Sequence, residues 1–227
     1  MESFTCKKIA TLKSDFTSKF GVPRQSGLVP ELLSRVVFEP EFRSPEALRG
    51  IEGFSHLWLI WEFSKVADKG WSPTVRPPRL GGNKRLGVFA TRSPFRPNPI
   101  GLSCVRLVDV TDSPGGPVLT VAGADLADGT PILDIKPYLP LADCVTEATG
   151  GFSEEVPYDT RRVLAPEGLL SALPEQKREA LRGVLSLDPR PSYHDEPERV
   201  YGFGFAGYEV KFSVREDELT VLELIPG

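Results

Sequence analysis

The residues best suited to chemistry lie in a stretch, 87–103, that begins and ends like a β-strand. Between its ends the stretch holds three prolines, an asparagine and two arginines, Arg92 and Arg96. Each proline fixes its own φ and restricts the residue before it, so the stretch predicts a stiff loop. Arginines held at fixed positions bind a carboxylate or a phosphate through paired hydrogen bonds. The stretch therefore predicts an anion-binding loop.

The charge distribution around this loop favours an anionic partner. The formal net charge of the chain is −4, which does not by itself indicate a nucleic-acid binder. Residues 70–108, however, contain no acidic residue and seven basic ones. A basic island in an acidic chain predicts that one anionic partner binds at one place. The alternative is a solvated loop whose arginines have no ligand.

Two further segments carry polar residues that can act together with the loop. Arg24 and Gln25 follow Pro23 in an early loop, for which a solvent-facing turn is the alternative. Asp134 and Lys136 interrupt an apolar strand two residues apart, so they share one face of it. That face is either part of a site or an exposed surface with a local ion pair.

Composition excludes several classes of protein. The chain has 227 residues, of which 40% are hydrophobic and 26% charged, as in soluble globular proteins. No apolar run reaches the ~20 residues of a membrane span, and the N-terminus lacks the pattern of a signal peptide. Cys6, Cys104 and Cys144 are an odd number without a close pair, which favours free thiols in a reducing, cytoplasmic compartment. Without a CxxC motif, no metal site is expected.

The strand pattern predicts a mainly β fold. Short runs rich in Val, Ile, Phe and Trp alternate with turn residues, which is typical of a closed or nearly closed β-barrel. The candidate strands of this core domain cover residues 7–11, 34–38, 56–63, 85–90, 103–110, 118–122 and 132–137. One short helix is expected at 45–51, with Ser44 as its N-cap.

The composition shifts near residue 150, which predicts a domain boundary there. We expect a core domain over residues 1–150 and a small α+β C-terminal domain over 151–227. A helix at 174–185 and strands at 200–205, 208–214 and 219–225 would form the second domain. Residues 202–207 match the dinucleotide-binding pattern GxGxxG, but an alternating strand follows them where that motif requires a helix. We interpret these glycines as a turn between strands and exclude a Rossmann fold.

The motifs together resemble the TsaA/TrmO family. The resemblance covers roughly residues 5–145 and is carried by four motifs, at residues 23–25, 54–58, 87–103 and 128–138. Residues 188–194 and 198–202 resemble the smaller C-terminal domain of bacterial members. The resemblance implies an S-adenosylmethionine-dependent tRNA methyltransferase with a β-barrel fold, whose members form homodimers. It further implies methylation of N6 of N6-threonylcarbamoyladenosine at position 37 of the anticodon loop, in threonine tRNAs.

By this resemblance, the residues of the cofactor pocket are Pro23, Arg24, Gln25, Ser64, Lys65, Arg92, Leu102, Asp128, Gly129, Thr130 and Pro131. Relatives frequently carry a histidine where this chain has Ser64 and Lys65. We expect Arg24 or Arg92 to bind a carboxylate or a nearby phosphate. Asp128 is expected to accept hydrogen bonds from ribose hydroxyls or an ammonium group. Gly129 would allow close approach of the backbone, and backbone groups near Leu102 would contact adenine.

Methylation of a nitrogen requires that the nucleophile lose a proton, so a general base is expected. The candidates are Asp134, Tyr138 and His194, and the sequence does not choose among them. The threonyl carboxylate of the substrate calls for an arginine, for which Arg96 and Arg190 are candidates. Tyr193 is a candidate for stacking on an unpaired base of the anticodon loop.

Two other functions are compatible with these residues. One is a non-catalytic RNA-binding module that uses the basic loop, and the other is a methyltransferase of the same fold that acts on a small molecule. Binding of S-adenosylmethionine separates the enzymes from the RNA-binding module. Methylation of tRNA separates the two enzymes.

Overall fold

The computed structural model describes residues 5–80, 82–155, 160–190, 196 and 198–227. The strands are β1 (Ala10–Lys13), β2 (Leu33–Phe38), β3 (His56–Glu62), β4 (Thr74–Val75), β5 (Leu86–Gly87), β6 (Ile100–Thr111), β7 (Val118–Ala122), β8 (Pro131–Pro137), β9 (Arg162–Leu164), β10 (Tyr201–Phe205), β11 (Tyr208–Arg215) and β12 (Glu218–Pro226). The α-helices are α1 (Pro140–Asp143), α2 (Phe152–Glu155), α3 (Glu167–Leu170) and α4 (Glu175–Ser186). Short 3-10 helices cover Pro40–Phe42, Pro45–Leu48, Ile51–Gly53, Ser64–Lys69, Pro78–Leu80 and Val88–Ala90.

Six strands close into an antiparallel barrel, as the sequence predicts. Their order around the barrel is β1-β2-β7-β6-β3-β8, and β8 pairs back with β1. The alternation of apolar residues decides which side chains point inward. Leu57, Leu59 and Trp61 of β3, for example, are buried in the barrel core with Val105 and Ile132. The residues between them point outward.

The pairing register places three long connections at one end of the barrel. Lys13 pairs with Arg35 near the end of β1, Leu33 pairs with Ala122, and Glu62 pairs with Ile100. The connections 14–32, 63–99 and 123–130 therefore leave the barrel at the same rim. We call this end the loop rim. It carries every residue predicted for the cofactor pocket except Pro131 and Leu102. These two are among the first three residues of the adjoining strands β8 and β6.

The C-terminal residues form a second layer on the loop rim. Strands β10, β11, β12 and β9 make a four-stranded sheet in that order, in which β9 runs parallel to β12. Helix α4 packs its apolar face on this sheet through Leu181 and Leu185. Phe16, Val29 and Leu32 of the 14–32 connection are buried in the same core. The barrel thus contributes a loop to the core of the smaller unit, and the two are joined by packing.

Two short elements differ from the sequence-based expectation. The predicted strand 85–90 is wrong, because only Leu86 and Gly87 pair with β4, and a 3-10 turn follows over Val88–Ala90. The Thr91 hydroxyl donates to the Val88 carbonyl oxygen at 2.9 Å and holds this turn. The helix expected at 45–51 is a 3-10 turn, Pro45–Leu48, and Ser44 makes no side-chain cap bond.

The glycines at 202–207 belong to a hairpin, which confirms that they are not a dinucleotide-binding loop. Strands β10 and β11 are joined by Ala206 and Gly207, whose φ angles are 51° and 83°. Two successive positive φ values are typical of the tight turns that match the twist of a hairpin. Among the described residues, no helix has the length and apolar character needed to cross a membrane.

The shared core gives a stability prediction. Phe16 is 1% exposed and its ring lies 5.4 Å from that of Phe205. Phe16→Ala should lower the free energy of unfolding by about 3–5 kcal/mol, because it leaves a cavity where the loop enters the second core. Phe89→Ala is the matched control, since Phe89 is 76% exposed, and should change stability by at most about 0.5 kcal/mol. Urea denaturation measures the free energy of unfolding of both variants. Equal values for Phe16→Ala and Phe89→Ala would contradict the shared core.

Candidate functional site

A large cleft lies between the loop rim and the C-terminal layer. It has a volume of about 1440 Å³. Four of the residues predicted for the cofactor pocket line it: Pro23, Arg24, Gln25 and Arg92. Val184, Asp188 and Arg190 close it from the opposite side. Two segments far apart in sequence, 23–25 and the stiff loop, thus lie together at this cleft.

The contact between Arg92 and Gln25 forms the polar centre of this cleft. An Arg92 guanidinium N–H donates to Gln25 Oε1 at 2.5 Å, and the Gln25 amide donates to the Arg24 carbonyl oxygen at 2.5 Å. The Gln25 side chain is thereby fixed with its oxygen toward Arg92. Because a guanidinium carries five N–H donors, this contact leaves donors for an anionic ligand.

Arg24 has a positioning contact in addition to its place in the cleft. Its guanidinium donates to the carbonyl oxygens of Arg190, at 3.1 Å, and Asp188, at 3.5 Å. These bonds join the 14–32 connection to the C-terminal layer across the cleft. Of the two arginines expected to bind a carboxylate, Arg92 is therefore the one whose side chain is held within the barrel's own loops.

Asp125 is a residue that sequence reasoning missed. It precedes the predicted 128–138 motif and accepts a hydrogen bond from the Ser103 hydroxyl at 2.5 Å. Ser103 in turn accepts from the Trp61 indole N–H at 3.0 Å. Burial raises the pKa of the Asp125 carboxyl above its ordinary value, and the Ser103 hydrogen bond and the Arg92 charge only partly offset this rise. The sequence signal for it is an acidic residue three positions after the end of an apolar strand, β7.

The motif that begins at Asp128 borders a second, smaller cleft on the same rim. This cleft has a volume of about 390 Å³ and is also lined by Asp15 and Lys177. Asp128 accepts from the Ser14 backbone N–H at 3.1 Å and pairs with Lys13 Nζ at 3.7 Å.

The residues that follow Asp128 shape the turn into β8. Gly129 has a φ of 79°, and the space in front of its Cα is open. The Thr130 hydroxyl donates to the Ala127 carbonyl oxygen at 2.7 Å, and Pro131 begins β8. Ser64 and Lys65 begin the 3-10 helix after β3, and Lys65 Nζ donates to the Thr17 carbonyl oxygen at 3.4 Å. The structure thus places the predicted pocket in two groups, on two sides of the 14–32 connection.

Leu102 and Asp134 lie on the outer face of the barrel, on either side of Ile60. Ile60 of β3 pairs with Leu102 of β6 and with Asp134 of β8. Asp134 Oδ2 is paired with Lys136 Nζ at 2.9 Å, so the two side chains share a face as predicted. Leu102 is 48% exposed. This face continues directly from the loop rim.

Tyr138 lies at the opposite end of the barrel from the loop rim. Its backbone N–H donates to the His56 carbonyl oxygen at 3.0 Å, at the start of β3, and its ring packs 5.7 Å from Trp58. Strand β8 separates it from Pro131 by seven residues, which span roughly 20 Å. Burial and the neighbouring Cys144 raise the pKa of the Tyr138 phenol, which keeps it protonated at neutral pH.

The two arginines predicted to read the substrate carboxylate already have partners. Arg96 donates to the carbonyl oxygens of Thr91, at 3.0 Å, and Ser93, at 3.1 Å, and thus braces the stiff loop from within. Arg190 is 8% exposed and donates two hydrogen bonds to Asp188, at 2.9 and 2.8 Å. Tyr193 and His194 lie outside the described residues.

Exposed aromatic and basic side chains surround the larger cleft. Phe89 is 76% exposed and Phe95 is 37% exposed, and both line the cleft with Arg76 and Arg85. An exposed phenylalanine in a stiff turn offers a flat apolar surface, and the arginines next to it offer positive charge. This combination is typical of surfaces that bind unpaired bases and their phosphates.

Comparison with known proteins is consistent with this arrangement. The family model of the tRNA-methyltransferase O N-terminal domain matches residues 11–144, and that of the TrmO C-terminal domain matches residues 165–227. The tRNA (adenine(37)-N6)-methyltransferase of Escherichia coli (strain K12) is 40% identical over 234 residues, which cover the whole of both chains. A putative S-adenosylmethionine-dependent methyltransferase, RcsF, of Pseudomonas aeruginosa is 39% identical over 96% of each chain.

Solved structures show the same fold. A crystal structure of TrmO from Pseudomonas aeruginosa superimposes with a TM-score of 0.80 at 34% sequence identity, covering 100% of this chain and 99% of that one. A second crystal structure of TrmO gives a TM-score of 0.80 at 35% identity and covers 100% of each chain. The similarity extends through both the barrel and the C-terminal layer.

The Asp188–Arg190 pair gives a prediction on pH. Burial acts to raise the pKa of Asp188, but hydrogen bonds and charge from Arg190 prevail and hold this pKa below its ordinary value. The unfolded state therefore binds more protons in acid, so the stabilisation is complete above about pH 4 and is lost as the pH falls further.

Asp188→Asn should lower the free energy of unfolding at neutral pH by about 3 kcal/mol, because it leaves the buried Arg190 without its counter-charge. The difference from the wild type should shrink below about pH 4. Asp217→Asn is the matched control, since Asp217 pairs with Arg161 but its side chain is 94% exposed. Urea denaturation at neutral and acid pH measures the free energy of unfolding of each variant and of the wild type. A difference between Asp188→Asn and the wild type that does not depend on pH would contradict the charge pairing.

Proposed function

The chain belongs to the tRNA-methyltransferase O family, and on that premise we propose that it methylates N6 of adenosine 37 in tRNA with S-adenosylmethionine. The observation that carries the proposal is the cleft at the loop rim. There the predicted cofactor residues Gln25 and Arg92 adjoin the exposed aromatic and basic side chains. A cofactor and an RNA loop therefore have adjacent places on one surface.

The donor set of the rim fits the cofactor. Gln25 and Arg92 offer fixed hydrogen-bond partners for a carboxylate, and Asp128 offers an acceptor for hydroxyl or ammonium groups. The open space at Gly129 admits a ligand against the backbone. When bound, S-adenosylmethionine supplies an activated methyl group on sulfur. The work of this chain is to align that methyl with the nucleophile and to exclude water.

Asp134 is the general base that we favour among the three candidates. It lies beside Ile60, which separates it from Leu102, and is three residues into β8 from the loop rim. Tyr138 lies at the far end of the barrel and its pKa is raised, so within one chain it is distant from the rim and a poor base. His194 stays a candidate. Asp134 would accept the N6 proton after its pairing with Lys136 is broken or shared.

We further propose that the preferred substrate carries a threonylcarbamoyl group on adenosine 37, as in threonine tRNAs. Arg96 lies in the stiff loop next to the cleft, and its remaining N–H donors would bind the threonyl carboxylate. Arg190, held by Asp188, would position the segment that leads to Tyr193 and His194. The C-terminal layer would then contribute to recognition of the tRNA, and Tyr193 to stacking on a base.

A homodimer in the cytoplasm completes the proposal. The outer face of the barrel exposes Ile100 and Leu102, and Leu141 and Val145 are exposed after β8. Apolar side chains that are left exposed are candidates for an interaction surface. A second copy of the chain would cover the outer face that begins at Leu102. The burial of Leu102 in the cofactor pocket would then depend on the dimer.

The substrate proposal is tested by methylation assays with purified tRNA. Threonine tRNA that carries the threonylcarbamoyl group should be methylated, and the same tRNA without it should react at least about tenfold more slowly, since the carboxylate contact is lost. Equal rates would contradict the proposed preference.

Calorimetry separates the enzyme from the RNA-binding module. Arg92→Ala should abolish binding of S-adenosylmethionine. A wild type that binds tRNA but no cofactor would support a non-catalytic RNA-binding module.

The RNA surface is tested by a pair of exposed variants. Phe89→Ala should weaken binding of the substrate tRNA by about tenfold, because stacking on one aromatic contributes about 1–3 kcal/mol per base. Its affinity for S-adenosylmethionine should equal that of the wild type. Trp71→Ala is the control, since Trp71 is also exposed, at 55%, but does not line the cleft. Equal losses in both variants would contradict a specific role of Phe89.

A further inference from the structure

We propose that the 188–190 turn of the C-terminal layer is a positioning element of the cofactor site: closed by Asp188, it holds Arg24 and, through Arg24, the Gln25–Arg92 pair. This inference rests on the proposed function, because it assigns a role within the same site. It concerns a carboxylate that the family resemblance does not assign to the cofactor pocket. An unbroken series of hydrogen bonds joins Asp188 to Arg92.

The Asp188 carboxylate closes the turn. Asp188 has a φ of 47°, in the left-handed region that aspartate and asparagine adopt more readily than most residues. Its Oδ1 accepts from Arg190 Nε at 2.9 Å and from the Arg190 backbone N–H at 3.3 Å. Its Oδ2 accepts from Arg190 Nη2 at 2.8 Å and from Arg161 Nε at 3.3 Å. The carboxylate therefore fixes both the backbone and the side chain of the residue that ends the turn.

The rest of the C-terminal layer anchors this turn. The Asp188 backbone N–H donates to the Leu185 carbonyl oxygen at 3.0 Å, at the end of α4. The Arg190 guanidinium, which is buried, lies over the Tyr201 ring, 5.8 Å from its centroid. Tyr201 belongs to the core of the C-terminal layer. The turn is thus fixed to both the helix and the sheet of this layer.

The closed turn presents two backbone carbonyls to Arg24. Arg24 Nη2 donates to the Arg190 carbonyl oxygen at 3.1 Å and to the Asp188 carbonyl oxygen at 3.5 Å. A carbonyl only accepts and a guanidinium only donates, so the direction of these bonds is fixed. The orientation of both carbonyls depends on the turn, which depends in turn on the Asp188 carboxylate. The position of the Arg24 side chain therefore follows from Asp188.

The segment that carries Arg24 is also packed on the C-terminal layer at its base. Gly21 has a φ of 90°, and a Cβ at this position would lie 2.3 Å from the Phe203 ring, so the backbone packs directly on that ring. Val22 packs against the same core. The segment 21–25 is accordingly held by the C-terminal layer at two points, its base and the Arg24 side chain.

Arg24 passes this constraint to the cofactor residues. The Arg24 carbonyl oxygen accepts from the Gln25 amide at 2.5 Å, and Gln25 Oε1 accepts from Arg92 at 2.5 Å. Long polar side chains lose rotamer freedom when they bind a ligand in one geometry, and that loss weakens binding. A fixed Arg24 carbonyl orients Gln25 and Arg92 before the cofactor arrives. Asp188 should therefore strengthen cofactor binding without touching the cofactor.

The test is a double-mutant cycle, measured by calorimetry with S-adenosylmethionine and the full-length protein. Asp188→Asn keeps the volume and the left-handed backbone but removes the charge that holds Arg190. It should raise the Kd about tenfold, which corresponds to about 1.4 kcal/mol, and Arg24→Ala should do so at least equally. In the double variant the Kd should equal that of Arg24→Ala, because both changes break the same connection. Losses that multiply to about a hundredfold would overturn the inference.

Two controls separate positioning from general loss of stability. Leu219→Ala removes a fully buried side chain from the core of the C-terminal layer. It should lower the free energy of unfolding by about 2–5 kcal/mol, comparable with Asp188→Asn, yet keep the Kd of the wild type. Asp217→Asn should also keep it, since Asp217 is an exposed partner of Arg161. All variants are measured at a temperature at which circular dichroism shows them folded. An equal rise of the Kd in Leu219→Ala would overturn the inference.

A further variant keeps the test decisive if Asp188→Asn does not fold. Arg190→Lys retains the positive charge but cannot form the two-pronged bond to Asp188, so the Kd should rise about threefold, and no further rise should follow in Arg24→Ala. A wild-type Kd in Asp188→Asn, or in Arg190→Lys where the former is unfolded, would overturn the inference while the cofactor assignment stands. A wild type that does not bind S-adenosylmethionine would overturn the proposed function itself.

Discussion

A single carboxylate, Asp125, connects the interior of the barrel to the loops of its rim. Its position follows from two facts of hydrogen-bond chemistry: an indole only donates, and a hydroxyl has one proton. Trp61 donates a hydrogen bond to the Ser103 oxygen, and the Ser103 hydroxyl therefore donates its own hydrogen bond to Asp125. Next to Ser103, the Cys104 backbone N–H donates to the Ser26 hydroxyl of the 14–32 connection at 3.2 Å. Strand β6 thus ties two connections of the loop rim, 123–130 and 14–32, to the barrel core.

The barrel register and the second core make this contact possible. Closure of six antiparallel strands places three long connections at one end, and the C-terminal layer covers that end. Because Phe16 and Val29 of the 14–32 connection belong to the core of the C-terminal layer, the connection is fixed from two sides. The cleft between the layers is accordingly lined by residues whose backbones are well anchored, while the side chains at its mouth stay exposed.

The sequence predicts the barrel and the lack of a Rossmann motif, because the alternation of apolar residues and the turn signals carry this information. The resemblance to a family assigns Gln25 and Arg92 to one pocket, and their direct contact is seen only in the structure. It does not predict the partners of Arg190 and Arg96, since each guanidinium is captured by groups within five residues in a turn that no periodicity describes. It also misses the distance of Tyr138 from the rim, which depends on the direction of β8 in the closed sheet. Asp125 escapes notice because its role comes from strands remote in sequence.

A crystal structure with S-adenosylmethionine bound tests most directly whether the loop rim is the cofactor site. We expect the cofactor at this rim, with its carboxylate in contact with Arg92 and Gln25. A cofactor bound at the opposite end of the barrel, near His56 and Tyr138, would contradict it.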